Sequence, residues 1–262
     1  MHNFEFVKPA SVAEAVKALS AGGAQALSGG QTLMPTMKQR LAAPDVLVSL
    51  TGIAEMQGVS GRAGASVTIG AATTHATVAR EAAAFYPALA ALAGGIGDPA
   101  VRNRGTIGGS LANNDPAACY PSAVLASGAT IVTNAREIAA DDYFQGLFST
   151  ALDEGEIITK VVFPIPQKAA YVKFNQPASR FALTGVFVAK FADGVRVAVT
   201  GASNDGVFRW TEAEAALSAD FRPEAVAGLT ADAGAMIGDL HGTPEYRAAL
   251  VRVLTGRAVA AA

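Results

Sequence analysis

The chain has 262 residues, of which 51% are hydrophobic and 16% are charged, and its formal net charge is -2. This is the composition of a folded protein long enough for two moderate domains, and it excludes a disordered chain. The charge balance gives no reason to expect a nucleic acid partner, and the single cysteine, Cys119, excludes disulfides and an iron–sulfur cluster held by this chain. Because the three histidines are scattered, we expect no metal site.

The N-terminal residues show no basic stretch followed by an apolar segment, and no run approaches the roughly 18–20 apolar residues that cross a bilayer. We therefore expect a cytoplasmic protein without a membrane span. A capping box at 11–14 begins the first helix, and a short buried strand covers 24–27. A second helix starts near Leu33, and a strand covers 45–50. This order predicts a small α/β unit over residues 1–57.

The middle of the chain predicts a larger α+β unit over residues 58–166. It opens with a hairpin that ends at 66–71, and an alanine-rich helical region broken near Pro87 follows. The stretch 94–109 is rich in glycine and has few apolar side chains to pack. Further elements are expected after it, a helix and two strands, over 121–127, 129–133 and 157–165.

Closely spaced prolines end this unit and predict a domain boundary there. In residues 167–262, two apolar segments flank the turn at 193–194 and predict a hairpin. Helices are expected to begin in a capping pattern at 211–214 and again at Thr243. These features predict a separate C-terminal α+β domain.

Two glycine-rich loops have the chemistry of a diphosphate-binding site. The loop 28–32 lies between a predicted strand and a predicted helix, and its adjacent glycines let successive backbone N–H groups point at an anion. The loop 104–110 repeats this chemistry, with glycines flanked by hydroxyl side chains. An ordinary tight turn explains either loop alone, whereas the two together favour one diphosphate held from both sides.

Other common nucleotide and hydrolase motifs are absent from the sequence. No Gly-x-x-x-x-Gly-Lys-Ser/Thr pattern supports a P-loop, and no Gly-x-Gly-x-x-Gly opens a helix after a strand as in a dinucleotide-binding Rossmann unit. The Gly-x-Ser-x-Gly elbow of the α/β hydrolases is missing as well.

Three stretches, over 28–38, 98–118 and 173–183, occur in an order and spacing that extend over essentially the whole chain. Together they resemble the FAD-binding medium subunit of the molybdenum hydroxylases, the family of xanthine dehydrogenase and carbon monoxide dehydrogenase. The resemblance implies an α+β fold, with a two-part FAD-binding domain of the PCMH type over 1–166. A smaller C-terminal domain, an antiparallel sheet with helices, follows over 167–262.

The resemblance also implies a role in a larger enzyme. A large subunit with a molybdenum cofactor hydroxylates the substrate, a small subunit with [2Fe-2S] clusters relays the electrons, and FAD on this chain passes them to an external acceptor. This division fits the single cysteine, since the chain cannot hold the clusters itself. It implies a dimer of heterotrimers, and no catalytic side chain on this subunit.

The resemblance assigns cofactor contacts to the two glycine loops, to the segment after the hairpin, to the region before the domain boundary, and to the second domain. The assigned residues are Leu27, Ser28, Gly29, Gly30, Gln31, Thr32, Leu33, Gly70, Thr73, Thr106, Ile107, Gly108, Gly109, Ser110, Asn113, Asp115, Ile158 and Phe181.

Cys119 departs from the family pattern, because many relatives carry an acidic residue there that accepts hydrogen bonds from the ribityl chain. A thiol is a poor acceptor, so Asp115 or Asn113 is expected to take that role. Two other interpretations stay open. One is a free-standing FAD-dependent reductase or oxidase of the same fold, and the other is a scaffold subunit that has lost its cofactor.

Overall fold

Three β-sheets organise the chain, and the computed structural model describes residues 1–262. The strands are β1 (Glu5–Val7), β2 (Ala24–Leu27), β3 (Val46–Ser49), β4 (Val59–Arg62), β5 (Ser66–Gly70), β6 (Thr130–Thr133), β7 (Glu137–Ala139), β8 (Ile158–Pro164), β9 (Lys168–Asn175), β10 (Ala182–Lys190), β11 (Val195–Ser203) and β12 (Gly206–Arg209).

The helices are α1 (Val12–Leu19), α2 (Leu33–Lys38), α3 (His75–Glu81), α4 (Pro87–Gly94), α5 (Pro99–Arg102), α6 (Ile107–Asn113), α7 (Tyr120–Ser127), α8 (Ala140–Tyr143), α9 (Thr211–Ala219) and α10 (Pro244–Ala261). None of them combines the length and the apolar character that a bilayer crossing requires.

The first sheet is parallel and has the order β1-β3-β2. Its strands are joined through α1 and α2, because parallel neighbours need a crossover connection. Ser11 caps α1 by accepting from the Glu14 backbone N–H, and the Glu14 carboxylate accepts from the N–H of Ala10. The predicted α/β order is therefore confirmed, and the edge strand β1 is an addition to it.

The second sheet is antiparallel and has the order β4-β5-β8-β6-β7. The glycine-rich stretch between β5 and β6 is more regular than its composition indicates, because two side-chain caps begin helices there. Asp98 accepts from the Val101 N–H at 2.9 Å and begins α5, and Thr106 accepts from the Gly109 N–H at 3.2 Å and begins α6. Part of the predicted second loop is thus the first turn of a helix.

The third sheet is antiparallel, with the order β12-β11-β10-β9, and α9 and α10 pack against it. The hairpin predicted around the turn at 193–194 is confirmed as β10 and β11, and the α+β class predicted for the chain is confirmed as well. The predicted capping box at the start of α9 is wrong: Thr211 is already helical, and Trp210 precedes it without a side-chain cap. Glu214 is buried instead, accepts from the Val197 N–H, and pairs with Arg209 at 2.6 Å.

Two hydrophobic cores lie on either side of the third sheet. One core belongs to residues 170–259 alone and lies between the sheet and α10. The other fills the N-terminal part of the chain and includes Phe187, Ala189 and Ala198 from the third sheet. The third sheet is therefore buried on both faces, and the N-terminal part of the chain packs firmly on it. The domain boundary near residue 166 stays a prediction.

Candidate cofactor-binding site

The two glycine loops meet in the structure. The hydroxyls of Ser28 and Thr106 lie 2.6 Å apart and share a hydrogen bond. Gly29 packs directly on the other loop, where a Cβ atom would overlap the Arg104 carbonyl oxygen and lie 2.6 Å from the Gly105 Cα. Only a glycine can occupy position 29 at this distance from the second loop. The glycine at this position therefore allows the two loops to pack directly against each other.

The first loop presents a row of backbone N–H groups without protein partners. The N–H groups of residues 29–32 donate to no protein acceptor, and Gly30 adopts a positive φ of 70°. The corresponding groups of the second loop are engaged: the N–H of Ile107 donates to Thr73 O at 3.2 Å, and that of Gly108 donates to Ala71 O at 2.9 Å. Free donors for an anion therefore come from the first loop, and the second loop adds the Thr106 hydroxyl.

A cavity of about 890 Å³ opens beside these loops, where the three sheets come together. Its walls come from the first loop and α2, from α5, α6 and the residues before β8, and from the end of β9 and the segment 178–181. The volume lies in the range of roughly 300–1,000 Å³ that is usual for small-molecule and cofactor sites.

Most of the residues assigned from the sequence line this cavity. Those on its wall are Leu27, Ser28, Gly29, Gly30, Gln31, Thr32, Leu33, Thr106, Gly108, Gly109, Ser110, Asn113, Asp115, Ile158 and Phe181. Phe181 is 52% exposed there, so its ring is free to meet a ligand.

Three assigned residues lie behind the wall. Ile107 is fully buried in the core, and the Thr73 hydroxyl exchanges hydrogen bonds with the backbone of Gly58. Gly70 ends β5 against the backbone of Met56, where a Cβ atom has no room. These three residues pack behind the residues that line the cavity and do not line it themselves.

The cavity also contains residues that sequence reasoning did not assign. They include His75, Ile96, Gly97, Gly105, Cys119, Glu156 and Lys173. Two of them had a signal in the sequence, since Cys119 stands at a cofactor position of the family pattern and Lys173 opens the third family-like stretch. The other residues belong to elements that are far apart in the chain. Only the tertiary fold brings them together on the cavity wall.

Two titratable side chains on the wall have strongly shifted pKa values. Burial, helped by the nearby Arg102 guanidinium, lowers the pKa of His75 from 6.5 to about 4, so this imidazole is neutral at pH 7. Its Nδ1 atom has no hydrogen-bond partner. The hydrogen bonds from Arg136 lower the pKa of Glu156 to about 2, so this carboxylate is charged and engaged at the start of β8.

The arrangement fits FAD. Free N–H groups and a hydroxyl at one place suit a diphosphate, and the elongated wall provides both backbone and apolar surface for the rest of a dinucleotide. The side chains do not fill the gap beside the loops, which counts against a scaffold that has lost its cofactor site.

Comparisons with known proteins agree with this chemistry. Residues 2–166 match the family described as "FAD binding domain in molybdopterin dehydrogenase". The chain is 35% identical over 273 residues to the nicotine 6-hydroxylase medium subunit of Paenarthrobacter nicotinovorans, covering 97% of this chain and 95% of that one. It is 34% identical to the carbon monoxide dehydrogenase medium chain of Afipia carboxidovorans, covering 98% and 96%.

Solved structures show the same fold. A chain of the carbon monoxide dehydrogenase of Hydrogenophaga pseudoflava, in a form that lacks the Mo-pyranopterin moiety, superposes with a TM-score of 0.86 at 33% identity. The alignment covers 100% of this chain and 97% of that one. A chain of quinoline 2-oxidoreductase from Pseudomonas putida 86 gives 0.88 at 28% identity, covering 100% and 97%. The protein therefore belongs to the FAD-binding medium subunits of the molybdenum hydroxylases.

Proposed function

We propose that the cavity holds one FAD with its diphosphate against the N–H groups of residues 29–32. Four consecutive N–H donors without a protein partner, on residues that line the cavity, are the observation that supports this placement most directly, because such a row of amides suits an anion. The Ser28–Thr106 hydroxyl pair closes the other side of the diphosphate site.

The remaining contacts follow from position on the wall. Asn113 and Asp115, at and after the end of α6, line the cavity, as do Ile158 and Phe181, and we expect the isoalloxazine ring on the side of Phe181. The complete proposed set is that of the sequence analysis, with Gly70, Thr73 and Ile107 acting as support behind the loops.

The bound FAD supplies electron uptake and release between one-electron and two-electron partners. The chain's own part is to bind and orient it: the first loop fixes the diphosphate, and the packing of the N-terminal part on the third sheet keeps the cavity closed on one side. The relatives are named as medium subunits, which supports partners of two kinds, a large molybdenum subunit and a small [2Fe-2S] subunit. We infer a dimer of such heterotrimers. The names do not favour a free-standing reductase or oxidase.

The experiment that tests this function is purification of the chain from its native host with whatever binds it. We expect one FAD per chain, bleaching of the visible flavin absorption on reduction, and molybdenum and iron in the same fraction. A colourless chain that elutes alone, without metal, contradicts the proposal. A yellow chain that elutes alone supports the free-standing alternative instead.

A further inference from the structure

Lys173 brings a positive charge to the wall of the cavity from the third sheet. Its ammonium group donates to Gly95 O at 2.8 Å, to Arg180 O at 3.0 Å, and to the Cys119 Sγ at 3.6 Å. An ammonium has three N–H donors, so all of them are used. The side chain is therefore held in one place, and none of its three partners is a carboxylate.

No carboxylate neutralises this ammonium. Lys173 takes part in none of the ion pairs of the structure. The acidic side chains on the cavity wall are engaged elsewhere: Asp98 caps α5, Asp115 accepts from the Ala117 N–H at 2.8 Å, and Glu156 pairs with Arg136.

The other titratable groups near the thiol bring no negative charge either. Tyr120 and Tyr171 are fully enclosed phenols, and burial raises the pKa of each well above its usual value. His75 is neutral, and the remaining cation of the wall, Arg180, has the same sign as Lys173. Lys173 and Arg180 therefore bring two cations to the C-terminal-domain part of the wall, and no carboxylate pairs with Lys173.

We propose that Lys173, left without a carboxylate partner because residue 119 is a cysteine, raises the reduction potential of the bound FAD. The inference rests on the proposed function. Lys173 supplies a charge near the flavin and Cys119 helps to hold that charge in place, so neither is assigned as a catalytic residue. Two-electron reduction takes two electrons from the iron–sulfur partner and one proton from solvent, so the flavin gains one negative charge. A fixed cation on the cavity wall stabilises that charge.

The test compares two substitutions of Cys119 in the intact complex. Cys119→Asp supplies the missing counter-charge, and we expect the equilibrium constant for FAD reduction to fall about tenfold, which is about 30 mV for a two-electron couple. Cys119→Ser is the matched control, since a hydroxyl is neutral and small, and its potential stays at the wild-type value. Both are read by spectroelectrochemical titration, with FAD content measured in the same samples.

A second pair of variants separates charge from structure. Lys173→Gln removes the cation and is expected to lower the potential, whereas Lys173→Arg keeps the charge and the potential. This pair decides the question if the Asp variant does not fold. Equal potentials in the Gln and Arg variants, or in the Asp and Ser variants, overturn the inference. A wild-type complex without FAD overturns the proposed function itself, which is a distinct result.

Discussion

At the residue scale, Gly29 approaches the backbone of the second loop too closely for any side chain. Because a Cβ atom there would overlap the Arg104 carbonyl, Gly29→Ala must push the loops apart. We expect a destabilisation of about 1–3 kcal/mol and a severalfold loss of bound FAD. Urea unfolding and the FAD content of the purified protein measure these two effects.

The matched control is Gly22→Ala. Gly22 lies in an exposed turn, and a Cβ atom there would meet nothing within 4 Å. Its FAD content is expected to equal that of the wild type. Full retention of FAD in Gly29→Ala would show that the contact between the loops is not needed for binding.

His75 predicts a pH dependence at the residue scale. Its pKa is about 4 in the folded chain against 6.5 when unfolded, so between these values the unfolded chain binds a proton that the folded chain does not. The free energy of unfolding therefore falls by about 3 kcal/mol as the pH drops through this range. His75→Gln should flatten the slope of melting temperature against pH, and the same change at the exposed His241 should not. An unchanged slope in His75→Gln would contradict the burial of a neutral imidazole.

At the scale of elements, Thr106 links the first loop to α6. Its side chain bonds the Ser28 hydroxyl at 2.6 Å and also accepts from the Gly109 N–H to cap the helix. Thr106→Val keeps the shape and removes both bonds, at a cost of about 1–3 kcal/mol. Thr106→Ser keeps both bonds and is the control. We expect the Val variant to bind FAD more weakly than the Ser variant in equilibrium titrations. Equal binding by the two variants would contradict the role of the hydroxyl.

Many of the helices and strands could be predicted from the sequence. Strands with apolar runs and helices with side-chain caps were predicted near their observed positions, because periodicity and capping are local properties. No helix was predicted in the glycine-rich stretch 94–109, although Asp98 and Thr106 cap two short helices there. The edge strand β1 was missed because its pairing partner β3 lies about forty residues away.

In the candidate site, too, local features were predicted from the sequence and contacts between distant residues were not. The two loops were predicted from their glycines, and their meeting is confirmed by the contact between Ser28 and Thr106. The engagement of the second loop's N–H groups by residues 71 and 73 was not predictable, because it depends on how β5 and the following turn pack. The position of Lys173 beside Gly95 and Cys119 likewise exists only in the folded chain.

At the scale of the whole molecule, residues next to or within all three sheets line the cavity, so a cofactor bound there would contact each of them. Binding to the folded state alone stabilises it by mass action, by about 2.7 kcal/mol at a free concentration of 100 times Kd. FAD added to the apoprotein should therefore raise the melting temperature of wild type and of Gly22→Ala, but raise that of Gly29→Ala far less. Equal shifts in all three would place the cofactor away from the loops.

The most direct test of the account is a crystal structure of the complex with FAD bound. We expect the diphosphate oxygens within hydrogen-bonding distance of the N–H groups of residues 29–32, and the isoalloxazine ring on the side of Phe181 and Lys173. Density for FAD outside this cavity, or a diphosphate that contacts neither glycine loop, would contradict it.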